Sequence, residues 1–85
     1  MKIPVGVIGK VLNSQHSEHL VCIVDDSINT GGFLVFENWK GSDGPNRGGW
    51  FDTWVEDETT LICFFAEAGW SIEWSQQQVD WTEGQ

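Results

Sequence analysis

The sequence predicts an α+β fold: a mostly antiparallel sheet of about five strands with one helix packed on a face, in the order β-β-β-β-α-β. Three observations predict it. Val-, Ile- and Phe-rich runs recur at residues 3–12, 19–25 and 33–39, separated by polar or Gly-containing turns, which is the pattern of an antiparallel meander. Leu61, Phe64, Phe65 and Ala68 fall at i, i+3, i+4 and i+7, the spacing of one helical face. Trp70, Ile72 and Trp74 then alternate with Ser71 and Glu73, the two-residue period of a strand.

Each element follows from its local chemistry. Residues 3–12 carry Ile3, Val5, Val7, Ile8 and Val11 and read as a first strand; NSQHSE (13–18) is a polar turn; HLVCIVD (19–25) is a second strand. DSINTGG (26–32) is a turn, because Asp and Asn tolerate unusual backbone angles and paired glycines supply positive φ. FLVFENW (33–39) is a third strand. GSDGPNRGG (41–49) holds four glycines and a proline without periodicity, so it reads as the longest loop and the most mobile one. WFDTWV (50–55) is a fourth strand. Asp57 is the candidate N-cap of the helix, whose acidic first turn suits the positive end of its dipole, and Gly69 is the candidate stop. One domain is expected over 1–74, with 75–85 a polar tail that Trp81 tacks down.

Composition narrows the function classes. Of 85 residues, 40% are hydrophobic and 20% charged, as in a globular domain rather than a disordered chain. Net charge is −9, and the first 49 residues hold all four basic residues against five acids, whereas 50–85 hold eight acids and no Lys or Arg. Nucleic acid is not an expected partner, because phosphate contacts need clustered cations, and an anionic membrane is disfavoured for the same reason. The N-terminal MKIPVGVIGKVL lacks a signal-peptide cleavage site, and no run reaches the about 18–20 apolar residues of a membrane span. A cytoplasmic protein is expected, with Cys22 and Cys63 as buried, reduced thiols.

Motifs for chemistry are weak. His16 and His19 have H-x-x-H spacing but sit in a turn without a third ligand, so surface histidines are expected and no metal site. Asp25, Asp26 and Asp43 do not match a calcium loop. Residues 41–49 lack the Gly-Lys-Ser/Thr ending of a phosphate loop. No nucleophile motif stands out. The chain is therefore expected not to be an enzyme, with no catalytic residues and no cofactor.

The strand faces are more informative. A sheet with one wet face should alternate apolar with polar, yet Leu20, Cys22 and Val24 oppose Val21 and Ile23, Leu34 and Phe36 oppose Phe33 and Val35, and Trp50 and Trp54 oppose Phe51 and Val55. Three arrangements would account for this: a curled sheet, a second face covered by a terminal segment, or an interface such as a homodimer. Of the tryptophans, Trp70 and Trp74 are expected under the helix with Trp54 beside them.

The stretch TGGFLVFENW…GWFDTWVEDETTLICFFAEAGWSIEW, roughly residues 30–74, resembles small acidic bacterial proteins of unknown function, some of them immunity-protein-like and others carried on mobile elements such as integron gene cassettes. The resemblance rests on a Phe-Asp-x-Trp-Val strand, a capped helix and a Gly-Trp-x-Ile-x-Trp ending, and it defines no functional residue. The resulting expectation is a non-enzymatic acidic binding protein that docks a basic protein partner through Asp52, Trp54, Glu56, Asp57 and Glu58. The alternative is a small-ligand or carbohydrate-binding module using Trp50 and Trp54.

Overall fold

A computed structural model describes residues 3–46 and 48–78. The elements are β1 (Val7–Val11), β2 (Leu20–Asp26), β3 (Gly32–Asn38), β4 (Phe51–Val55), α1 (Glu58–Ala68) and β5 (Ile72–Gln78). They form the predicted α+β fold, a five-stranded antiparallel sheet of order β4-β3-β2-β1-β5 with one helix packed on it. β1, β2 and β3 are the expected meander, and β4 extends it beside β3. β4 and β5 lie at opposite edges, so the chain between them must cross the sheet. Four interstrand gaps span about 19 Å, and the 11 residues of α1 extend about 16 Å. Helix length and sheet width are thus matched.

Packing on the helix face follows from strand register, since directly paired residues share a face. Val11, Val21, Ile23, Val35 and Val55 meet Leu61 and Phe65, all buried, with Phe33, Phe64, Trp70, Ile72 and Trp74 packed around them. Gly9 pairs with Trp74, and a Cβ there would lie 2.7 Å from the Trp74 ring. The missing side chain is what lets the indole close over the sheet.

The helix ends as its residues predict. Asp57 is extended and accepts from the Thr60 N–H at 2.8 Å, while Gly69 is left-handed with its N–H donating to the Phe65 carbonyl. The Thr60 N–H, helped by the Thr60 side chain, holds the Asp57 carboxyl below the ordinary Asp range, against a small opposing effect of burial. A carboxyl with a lowered folded pKa stabilises the fold above its unfolded pKa, and this contribution is lost as pH falls through the folded value. Asp57→Asn, which can still cap, is therefore expected to flatten the acid side of a melting-temperature profile below about pH 5. An unchanged acid slope would show that the cap does not couple to folding.

Several expectations are corrected. Cys22 is buried but Cys63 is exposed, and neither is in a disulfide; Cys63 lies between the buried positions Leu61 and Phe65 and points away from the sheet. Ala68, expected on the buried helix face, is exposed. β5 continues to Gln78 rather than ending at Trp74, since pairing with β1 reaches back to Val7. Trp81 lies outside the described residues. Trp54 does not lie beside Trp70 and Trp74 under the helix: it pairs with Leu34 on the opposite face and is 49% exposed.

Hydrogen bonds tie together the described residues of the loop 41–49. Ser42 Oγ accepts from Asn38 Nδ2 and donates to the Gly49 carbonyl, the Gly44 N–H donates to that same carbonyl, and Asn46 pairs with Trp50. The glycines serve close approach: a Cβ on Gly44 would collide with the Trp50 backbone.

The second sheet face carries Ile8, Leu20, Cys22, Val24, Leu34, Phe36 and Trp54, as the register requires. Cys22 is fully buried, and Ile8, Leu20, Val24, Leu34 and Phe36 are half-buried. Among the described residues, no helix is long and apolar enough to cross a membrane.

Candidate functional site

The antiparallel order gathers distant acids at one end of the sheet. β2 ends there at Asp26, β3 begins there at Gly32, and β4 ends there at Val55. Asp25 and Asp26 therefore share an end with Glu56, Asp57 and Glu58. Two apolar groups stand among them: Ile28, 96% exposed in the β2–β3 turn, and Trp54.

Hydrogen bonds stiffen this end. The Thr30 N–H and hydroxyl both donate to the Asp26 carbonyl, Asn29 Nδ2 donates to the Asp26 carboxylate, and the Ser27 N–H donates to Asp25 Oδ1 at 2.9 Å. The Ser27 bonds hold the Asp25 carboxyl below its usual range, so its charge persists into mild acid. Trp54 Nε1 donates to Thr30 Oγ1 at 2.9 Å, which ties the exposed indole to the turn. A large aromatic ring fixed in place is a low-entropy anchor for a partner.

Of the residues expected to bind a partner, Trp54, Glu56, Asp57 and Glu58 come together here. Asp52 does not: it lies toward the other end of β4 and accepts from Asn46 Nδ2 at 2.8 Å. Asp25, Asp26 and Ile28 were missed, although an isolated Ile in the polar turn DSINTGG was a visible signal. The alternative pair, Trp50 and Trp54, is separated by four residues of extended chain, about 13 Å. Trp50 sits over the glycine loop, near Gly48, and Trp54 near Thr30, so they do not form one stacking platform.

A second constellation occupies the opposite end of the sheet. His19 is not a surface histidine; it is only 4% exposed. Its position two residues before Val21 and four before Ile23 puts it on the core face, a period legible in the sequence. Its Nε2 lies 3.0 Å from Glu37 Oε1, and its Nδ1 lies 2.6 Å from Ser14 Oγ. Trp39 and Trp70 meet its ring edge to face at centroid distances of 5.6 and 5.4 Å. His16 stacks on Trp39 at 4.2 Å, and Trp39 stacks in turn on Phe51.

The turn carrying Ser14 is pinned on both sides. Asn13 accepts from the Ser71 N–H and donates to the Gly69 carbonyl, bonding it to the α1–β5 corner, while the Lys40 N–H donates to the Ser17 carbonyl. Glu18 takes a left-handed φ of 56°, an uncommon state for a residue with a side chain. Among the described residues, no cluster of three or more His, Cys, Asp or Glu side chains could hold a metal ion.

Comparison with known proteins leaves the geometry to speak for itself: no protein-family model, no curated protein and no solved structure matches the chain.

Proposed function

We propose that this chain is a non-enzymatic binding protein of the cytoplasm, an immunity-like inhibitor or adaptor, which docks a basic protein partner at the acidic end of its sheet. The observation that carries the reading is uncompensated charge around fixed apolar anchors. Among the described residues the only contact between a basic and an acidic side chain within 4.0 Å is His19 with Glu37, so no described cationic side chain pairs with Asp25, Asp26, Glu56, Asp57 or Glu58. Their field would steer a cationic surface inward, and Trp54 and Ile28 would then bury apolar area against it. Cysteines that are not joined in a disulfide, Cys22 and Cys63, suit a reducing compartment.

A basic protein captured on the immobilised chain tests this. Association is expected to slow steeply between about 0.05 and 0.5 M salt, as the Debye length shrinks from roughly 14 to 4 Å. Trp54→Ala is expected to weaken binding by about 2 kcal/mol or more, the cost of a hot-spot aromatic. Affinity indifferent both to salt and to Trp54 would reject the proposal.

A second reading, a homodimer, is favoured by the row Val24, Leu34 and Trp54 across the second sheet face. Light scattering of the free chain separates the two, since a dimer would occupy Trp54 with a second copy.

A further inference from the structure

We propose that Ser14 is an activated nucleophile, with His19 as its base and Glu37 as the residue that positions His19, and that it is acylated by small esters carrying a good leaving group. The inference stands apart from the docking reading: Ser14 lies at the end where β1 closes and β2 opens, opposite the Asp26–Trp54 end.

Proton positions follow from the donor inventory. A carboxylate only accepts, so the 3.0 Å contact to Glu37 Oε1 places the hydrogen on His19 Nε2. With the ring neutral, Nδ1 is an acceptor and Ser14 Oγ–H donates to it across the 2.6 Å contact. A lone pair of Ser14 Oγ accepts from the His16 N–H at 3.0 Å. Hydroxyl to imidazole to carboxylate is the order of a nucleophile, its base and the base's orienter. The two ring nitrogens exchange places relative to serine proteases, which leaves the charge logic intact.

Burial separates the roles. His19 is enclosed by Trp39 and Trp70 and cannot itself meet a substrate. Ser14 is half-buried, beside the exposed Gln15 and His16, and is more open to solvent than His19. The bonds from Asn13 and Ser17 to neighbouring elements hold the turn in place, and the left-handed Glu18 closes it toward His19. Pre-organisation of this kind is what a reactive side chain needs.

In the reaction, Ser14 Oγ forms a bond to the carbonyl carbon as its proton passes to His19 Nδ1. The ester C–O bond then breaks, the good leaving group departs as an anion with the electron pair, the proton held on His19 Nδ1 passes to water, and Ser14 remains acylated. Glu37 keeps the Nε2 proton throughout.

The test is site-resolved mass spectrometry of the full chain after brief exposure to p-nitrophenyl acetate. Ser14 is expected to acetylate at least about a hundredfold faster than Ser17, Ser27 or Ser71, the lower bound for a positioned base. His19→Gln is expected to bring Ser14 down to the rate of the other serines. Glu37→Gln, which still accepts from Nε2 but has lost its charge, is expected to fall between the two. Circular dichroism establishes that each variant is folded. If the serines of the native chain acetylate alike, or if a folded His19→Gln variant acetylates at the native rate, the arrangement only fastens the turn and the proposal is wrong. The native-chain comparison decides the matter even if the His19 variant does not fold.

Discussion

Leu61→Ala is expected to destabilise the protein by about 2–5 kcal/mol, the range for truncating a buried Leu. Leu61 is 1% exposed, at the point where α1 meets Val35 and Val55. A chain of 85 residues has a total stability of only about 4–13 kcal/mol, so this one side chain represents a large fraction of it. α1 presents only two fully buried residues to the sheet, Leu61 and Phe65, and few neighbours are available to collapse into the cavity. Urea denaturation should show a lower midpoint with an unchanged slope. The exposed Cys63, two residues on, provides the control: Cys63→Ala should change stability by less than about 0.5 kcal/mol. Equal effects at the two positions would mean that α1 does not pack in this orientation.

Gly32→Ala is expected to cost about 1–3 kcal/mol or more through overpacking, and to disturb the docking end as well. A Cβ at Gly32 would collide with the Val55 carbonyl and approach Trp54 Nε1 at 2.7 Å. The first obstacle is backbone, held in register by the β3–β4 pairing of Phe33 with Val55, and cannot rotate aside. The second is the indole whose N–H reaches Thr30. The neighbouring Gly31 separates two causes, because its φ is +81° with nothing within 4 Å of an added Cβ. Gly31→Ala should therefore show only conformational strain, about 1–2 kcal/mol, and leave the Trp54 environment unchanged. Tryptophan fluorescence together with denaturation distinguishes them: Gly32→Ala should alter both, Gly31→Ala only stability. A Gly32→Ala protein with native stability and native emission would refute the close approach.

These two variants also mark what was legible in the chain before folding. Leu61 was identifiable from its spacing to Phe64 and Phe65, because helical periodicity is local. The helix caps were equally readable: Asp57 before Glu58 and Gly69 after Ala68 follow from backbone groups within one turn. The role of Gly32 was not, because its constraint comes from Val55, 23 positions away.

The candidate sites divide in the same way. Glu56, Asp57 and Glu58 are contiguous in sequence, and their acidity was plain. Their union with Asp25, Asp26 and Ile28 depends on β2 and β4 both running antiparallel to β3, which no local pattern records. Ser14 and His19 lie in the connection before β2 and Glu37 on β3, and their chemistry exists only where the fold brings His19 to Glu37 and Ser14 back over His19.

By itself, then, the sequence determined the fold class, the order of elements, the apolar second face and the one-sided charge, all of which arise from short-range periodicity and composition. The tertiary structure alone decided that His19 is buried, that Trp54 is exposed, that the glycine-rich loop is closed by Ser42, and that two groups of polar residues stand at opposite ends of the sheet. The physical reason is that burial and hydrogen-bond partnership depend on which strands are neighbours. That pairing is settled by long-range packing, here by a helix just long enough to carry the chain from one edge of the sheet to the other.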